Sequence, residues 1–126
     1  MAIPIPPRQD YQPAGAMLYA DLDGLSRDLM DELTACREAG KALADAERDY
    51  RKRLRLEILK ERNSGTPVTI ISDVCRGVDE VADLKCARDC AEAVYRASSE
   101  RINALKIRMR LLDAEIQRAW TSGGMQ

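Results

Sequence analysis

One apolar stripe runs through the first half of the chain without a break. Leu18, Leu22, Leu25, Leu29, Leu33, Cys36, Gly40, Leu43, Ala46, Tyr50, Leu54 and Ile58 follow one another at three- or four-residue steps. That spacing keeps a single face of a 3.6-residue helix apolar over many turns. It predicts one helix from about residue 14 to 62, roughly 75 Å long at 1.5 Å per residue. Two glycines lie within it, each weakening a helix by about 1 kcal/mol relative to alanine. Gly40 sits on the stripe, where it marks either a close helix approach or a bend.

A second stripe follows further on: Val81, Leu84, Ala91, Tyr95, Ser98, Ile102, Leu105, Met109, Leu112, Ile116 and Ala119. Arg88 interrupts its early part. It predicts a second long helix over about 78–120, ended by the "TSGG" at 121–124. Between the stripes lies "SGTPVTIISDVCRG", residues 64–77, which is rich in β-branched residues. "NSG" ends the first helix with Gly65 beyond its last turn. Thr66 and Pro67 read as an N-cap and a proline at the first helical position. Val68, Ile71, Val74 and Val78 recur at helical spacing, and Gly77 supplies a stop. A strand at 68–72 is the competing reading. It has no partner strand elsewhere in the sequence, and an isolated strand is unstable. The stretch therefore reads as a short helix over about 67–76, with Ile71 flanked by Val68 and Val74 on its inner face and Leu59 packed beneath it. The fold class is all-α, a long antiparallel helical hairpin with a short third helix at its tip, preceded by an extended proline-rich arm at 1–12.

Charge gives the direction of the hairpin. Residues 21–47 carry eight acids and three bases, net −5, and residues 48–62 carry seven bases and three acids, net +4. Residues 73–92 carry six acids and three bases, net −3, and residues 93–119 carry six bases and three acids, net +3. Folding the long helices back around 64–77 lays each segment beside one of opposite sign. Each exposed pair is worth under about 1 kcal/mol, but together they select the antiparallel arrangement. A further strip on the second helix, Val94, Ala97, Ala104, Ile107 and Leu111, has no counterpart within one hairpin. It predicts self-association, with a dimeric four-helix bundle as the expected form.

The rest of the composition narrows the function classes. The net charge is −1, so no global basic field draws the chain to nucleic acid or to an anionic membrane. Aromatic residues make up 4% and Phe is absent, which suits long helices better than a globular core. At 126 residues the chain is expected to form one domain. No apolar run reaches the length of a membrane span, and the "IPIPP" start lacks the pattern of a secretory signal. The expected compartment is cytoplasmic. Cys36, Cys75, Cys86 and Cys90 are expected to be reduced structural thiols, since the chain has no histidine and no CxxC pair. "DLDG" at 21–24 lacks the remaining ligands of a calcium loop. No nucleophile has an evident base and no glycine loop suits a phosphate, so no catalytic residue and no cofactor is expected.

Two stretches carry functional readings. At the tip, Thr69, Ser72, Asp73 and Arg76 form a candidate partner-binding surface. In "RDYRKRLRLEILKER", residues 48–62, the side chains of Arg48, Arg51, Lys52, Arg55 and Arg62 form a candidate phosphate-contacting face, with Tyr50 as a stacking residue. Against that reading, Tyr50 lies on the apolar stripe and the acidic segment opposite balances the charge. "GTPVTIISDVCRGVDEVADLK" followed by "AEAVYRASSERINALKIRMRLLDAEIQRAW" resembles, over residues 64–120, a group of small helical proteins of phages and prophages. The resemblance implies an early or accessory gene product, near replication, recombination or host-takeover genes, and implies no catalytic residue. The leading expectation is a non-enzymatic module that binds and modulates a host or phage protein, such as a defence or nucleic-acid-processing complex. A nucleic-acid-binding accessory factor and a structural coiled-coil adaptor are the alternatives.

Overall fold

Three helices make up the structure, a computed structural model that describes residues 3–4 and 14–122. They are α1 (Ala14–Asn63), α2 (Val68–Arg76) and α3 (Asp79–Ser122), and no strand occurs among the described residues. The hairpin with a short intervening helix is thus the observed architecture. The arm lies outside the described residues except for Ile3 and Pro4, both exposed.

The α1–α2 link follows from local chemistry. Gly65 has φ +81°, a left-handed conformation that residues with a Cβ adopt at a steric cost. The Gly65 and Thr66 amides donate to the carbonyls of Arg62 and Glu61, each at 3.2 Å, which closes α1 with a Schellman arrangement. Lys60 and Arg62 in the last turn complement the helix dipole. Two details differ from expectation. Pro67 occupies the N-cap position of α2, extended at ψ 134° with no side-chain cap. The Thr66 hydroxyl instead donates to Glu61 Oε2 at 2.6 Å. At the start of α3, Asp79 and Glu80 place negative charge on the helix N-terminus.

The chain divides into two compact units. One comprises residues 1–31 with 102–126. Its core joins Leu25 of α1 to Ile102, Leu105 and Ile116 of α3. Leu18, Leu22, Leu29, Met109, Leu112 and Ala119 are half-buried, as their stripes predict.

The other unit comprises residues 32–101, in which α2 follows α1 and precedes α3 along the chain. Its buried apolar residues are Ala39, Ile71, Cys75 and Val81. The pairing is antiparallel. Glu32 of α1 meets Ser98 and Arg101 of α3. Further along α1, Cys36 meets Ser99, Gly40 meets Tyr95, Glu47 meets Arg88 and Arg53 meets Glu80. As one number rises the other falls. The Arg53–Glu80 and Glu32–Arg101 pairs join segments that the charge pattern set opposite each other. A Cβ on Gly40 would lie 3.3 Å from the Tyr95 ring, so this glycine serves close approach.

Several expected core positions are corrected. Leu33 is exposed, and the half-buried position on that turn belongs to Glu32. Leu59 does not pack beneath α2 and is 44% exposed. On α2, Ile71 faces inward as expected, but Val68 and Val74 are exposed, and the inner neighbour of Ile71 is the fully buried Cys75. Residues four apart differ by only about 40° around a helix, whereas Val68 and Val74 lie about 60° to either side of Ile71. A nine-residue helix laid on its neighbours covers only the narrower arc.

Candidate functional site

Polar groups punctuate the helix interface of the 32–101 unit at three levels. At the first, the Ser98 hydroxyl donates to Glu32 Oε1 at 2.7 Å, and Arg101 Nε lies 3.2 Å from Glu32 Oε2. At the second, Glu47 accepts from Arg51 at 2.7 Å and from Arg88. Hydrogen bonding by Arg51, together with Arg88, holds the Glu47 carboxyl below the usual carboxylate range against a smaller desolvation cost. The same Glu47 raises the affinity of Arg88 for its proton. So Arg88, which breaks the sequence stripe, enters the interface as half of an ion pair. At the third, Arg53 Nη2 lies 2.8 Å from Glu57 Oε1 and also pairs with Glu80. Glu57 is only 5% exposed, and Arg53 is its ion-pair partner. Desolvation, with Glu61 and Glu57 nearby, pushes the Cys75 thiol up and keeps it protonated.

Cationic side chains collect on another face of the same unit. An open groove of about 700 Å³ is lined on α1 by Tyr50, Arg51, Leu54, Arg55, Ile58, Leu59 and Arg62. Arg76 of α2 and Lys85 and Arg88 of α3 complete its basic wall, and Glu47 is its one acid. Arg51 and Arg88 are engaged with Glu47, and Lys85 lies 3.6 Å from Asp89. Among the described residues no carboxylate lies within ion-pair distance of Arg55, Arg62 or Arg76.

The structure redistributes the residues singled out from sequence. Arg51, Arg55 and Arg62 share the groove, and Arg76 from the tip set joins them. Arg48 is turned to Asp45 and Asp49, and Lys52 is exposed outside the groove lining. Tyr50 is half-buried in the groove floor. Thr69, Ser72, Asp73 and Arg76 are all exposed on α2. Sequence reasoning missed Lys85 and Arg88 as groove residues, because both fall within an acidic segment. The exposed apolar residues of α2, Val68, Ile70 and Val74, were also missed as surface.

On α3, Val94 and Ala97 are exposed in the 32–101 unit, and Ala104, Ile107 and Leu111 are exposed in the other. In that other unit an open cleft of about 530 Å³ is lined by Ala20, Gly24, Leu25, Leu111 and Leu112, with Asp21, Asp28, Glu115 and Arg108 at its polar margin. The cysteines are free. Cys36 is half-buried, while Cys86 and Cys90 are exposed, so these last two are not part of the core. Among the described residues no group of three His, Cys, Asp or Glu side chains is placed to hold a metal ion. No described helix is long and apolar enough to cross a membrane. In comparisons with known proteins, no family model, no curated protein and no solved structure matches the chain.

Proposed function

We propose that this chain is a non-enzymatic protein-binding module, phage-encoded, that modulates a host or phage protein through its helical surface. The observation that carries this reading is the exposed apolar surface of α2. Val68 is 78% exposed on one flank of the helix, and Ile70 and Val74 are exposed on the other. Three exposed apolar side chains on a nine-residue helix, with Thr69, Ser72 and Asp73 on the face between the flanks, have the make-up of a protein-recognition surface. The resemblance of residues 64–120 to phage proteins supports the choice of a bacterial partner.

Affinity capture from a bacterial lysate tests this. The native chain is expected to retain a discrete partner. Val68→Ser with Asp73→Ala should lose it while leaving the helical circular dichroism unchanged, because both side chains are exposed. Capture of nothing, or capture indifferent to these changes, would remove the reading.

Self-association belongs to the same proposal. The exposed apolar residues Val94, Ile107 and Leu111 on α3 support a homodimer. Sedimentation at tens of micromolar should give twice the chain mass, and Ile107→Glu with Leu111→Glu should give the monomer. A native chain sedimenting as a monomer would refute it.

A further inference from the structure

We infer that the groove of the 32–101 unit is a docking site for an acidic amphipathic helix of a partner protein. This rests on the reading of the chain as a protein-binding module, but not on the α2 face that carries that reading. Two properties of the groove lead to it. The first is local charge. The chain as a whole carries net −1, yet the groove gathers six cations against one carboxylate. Arg55, Arg62 and Arg76 have no ion-pair partner among the described residues, so an incoming carboxylate would meet them without first breaking an existing pair. Guanidinium groups hold carboxylates in a two-pronged geometry that a planar anion fits well.

The second property is the floor. Leu54, Ile58 and Leu59 lie between the cations, and Leu59 is exposed although it sits in the cleft. A partner that only neutralised charge would leave this surface wet. An occupant with apolar residues on one side and carboxylates along its edges covers the floor and meets the rim together, which is the helix-in-groove mode of recognition. Arg51, Arg55 and Arg62 fall at helical spacing on one face of α1 and span about 16 Å. That length accommodates about three turns of a partner helix. Nucleic acid fits less well, because phosphates gain nothing from Leu54, Ile58 and Leu59, and the one aromatic in the lining, Tyr50, is half-buried rather than presented for stacking.

Fluorescence anisotropy with a labelled synthetic peptide is the test. The probe is a helix-forming sequence of about four turns, with Leu on one face and Glu along both edges. A scrambled peptide of the same composition and a single-stranded oligonucleotide serve as competing probes. The native chain is expected to bind the amphipathic peptide at least about tenfold more tightly than the scrambled one, with affinity falling as salt rises. Arg55→Glu with Arg62→Glu should cost about tenfold or more. Neither side chain has an ion pair to lose, so circular dichroism should be unchanged. Leu59→Ser should weaken the amphipathic peptide and leave the scrambled one unaffected. Equal binding of the two peptides, tighter binding of the oligonucleotide, or charge-reversed protein that binds like the native chain would each overturn the proposal. Should the peptide fail while lysate capture persists and depends on Val68 and Asp73, the groove assignment falls and the protein-binding function stands. Should the peptide bind as described while lysate capture fails, the groove stands and the α2 reading falls.

Discussion

Arg53→Met is expected to lower the unfolding free energy by about 1–3 kcal/mol, the cost of leaving a buried polar group without its partner when that partner, 35% exposed, is itself partly solvated. Glu57 is the reason. Its carboxylate is almost wholly removed from water, and Arg53 is its ion-pair partner at 2.8 Å. Without the guanidinium the charge is stranded, and the contact of Arg53 with Glu80 is lost as well. The companion result separates pairing from packing. Arg53→Met with Glu57→Leu should recover most or all of the loss, because exchanging a buried pair for apolar residues of similar volume is often neutral or stabilising. The native arrangement is not ideal in any case: Arg53 Nε is buried with no hydrogen-bond partner among the described residues. Urea unfolding of the native chain, the two single variants and the double variant forms a complete cycle. A double variant as unstable as Arg53→Met would show that the arginine's packing, and not its charge, supports this part of the interface.

Ile71→Ala should cost about 2–4 kcal/mol, as large-to-small changes in a filled interior do. Ile71 is buried on the inner face of α2, beside the fully buried Cys75. Val68→Ala, three residues earlier, should stay within about 0.5 kcal/mol because its side chain is mostly in solvent. The contrast tests the rotation of α2 about its own axis. Denaturation midpoints at constant slope measure both changes on one scale. Equal costs at the two positions would mean that α2 packs with its valines inward, and the exposed patch on which the proposed function rests would not exist.

These two regions also show where sequence reading stops. The existence of α2 was legible, because Pro67 and Gly77 bracket a run with helical spacing and no strand partner. Its orientation was not. Val68, Ile71 and Val74 suit a helical stripe as well as Ile71 and Cys75 do, and cysteine carries little weight as an apolar signal. Glu57 was read only as one of the charges of a basic segment. Nothing local tells that this carboxylate, unlike Asp49 or Glu61, is enclosed by neighbours from elsewhere in the chain.

The sequence by itself determined the two long helices, the break at 64–67 and the antiparallel pairing. Each depends on local periodicity, on the backbone preferences of Gly65 and Pro67, or on the charges of whole segments, and none needs side-chain placement. Tertiary structure decided which side of each stripe is covered. On α1, Glu32 takes the half-buried place that Leu33 was expected to hold, and Glu57 is more deeply covered than Leu54 or Ile58, because the facing helix and not the periodicity sets which flank of the stripe is covered. Tertiary structure also assembled the groove. Arg62, Arg76 and Lys85 belong to three different helices, and two of them sit in a segment whose net charge is acidic. Only the packing of the three helices against one another brings these cations to one groove, because charge summed along a chain does not report charge gathered in space.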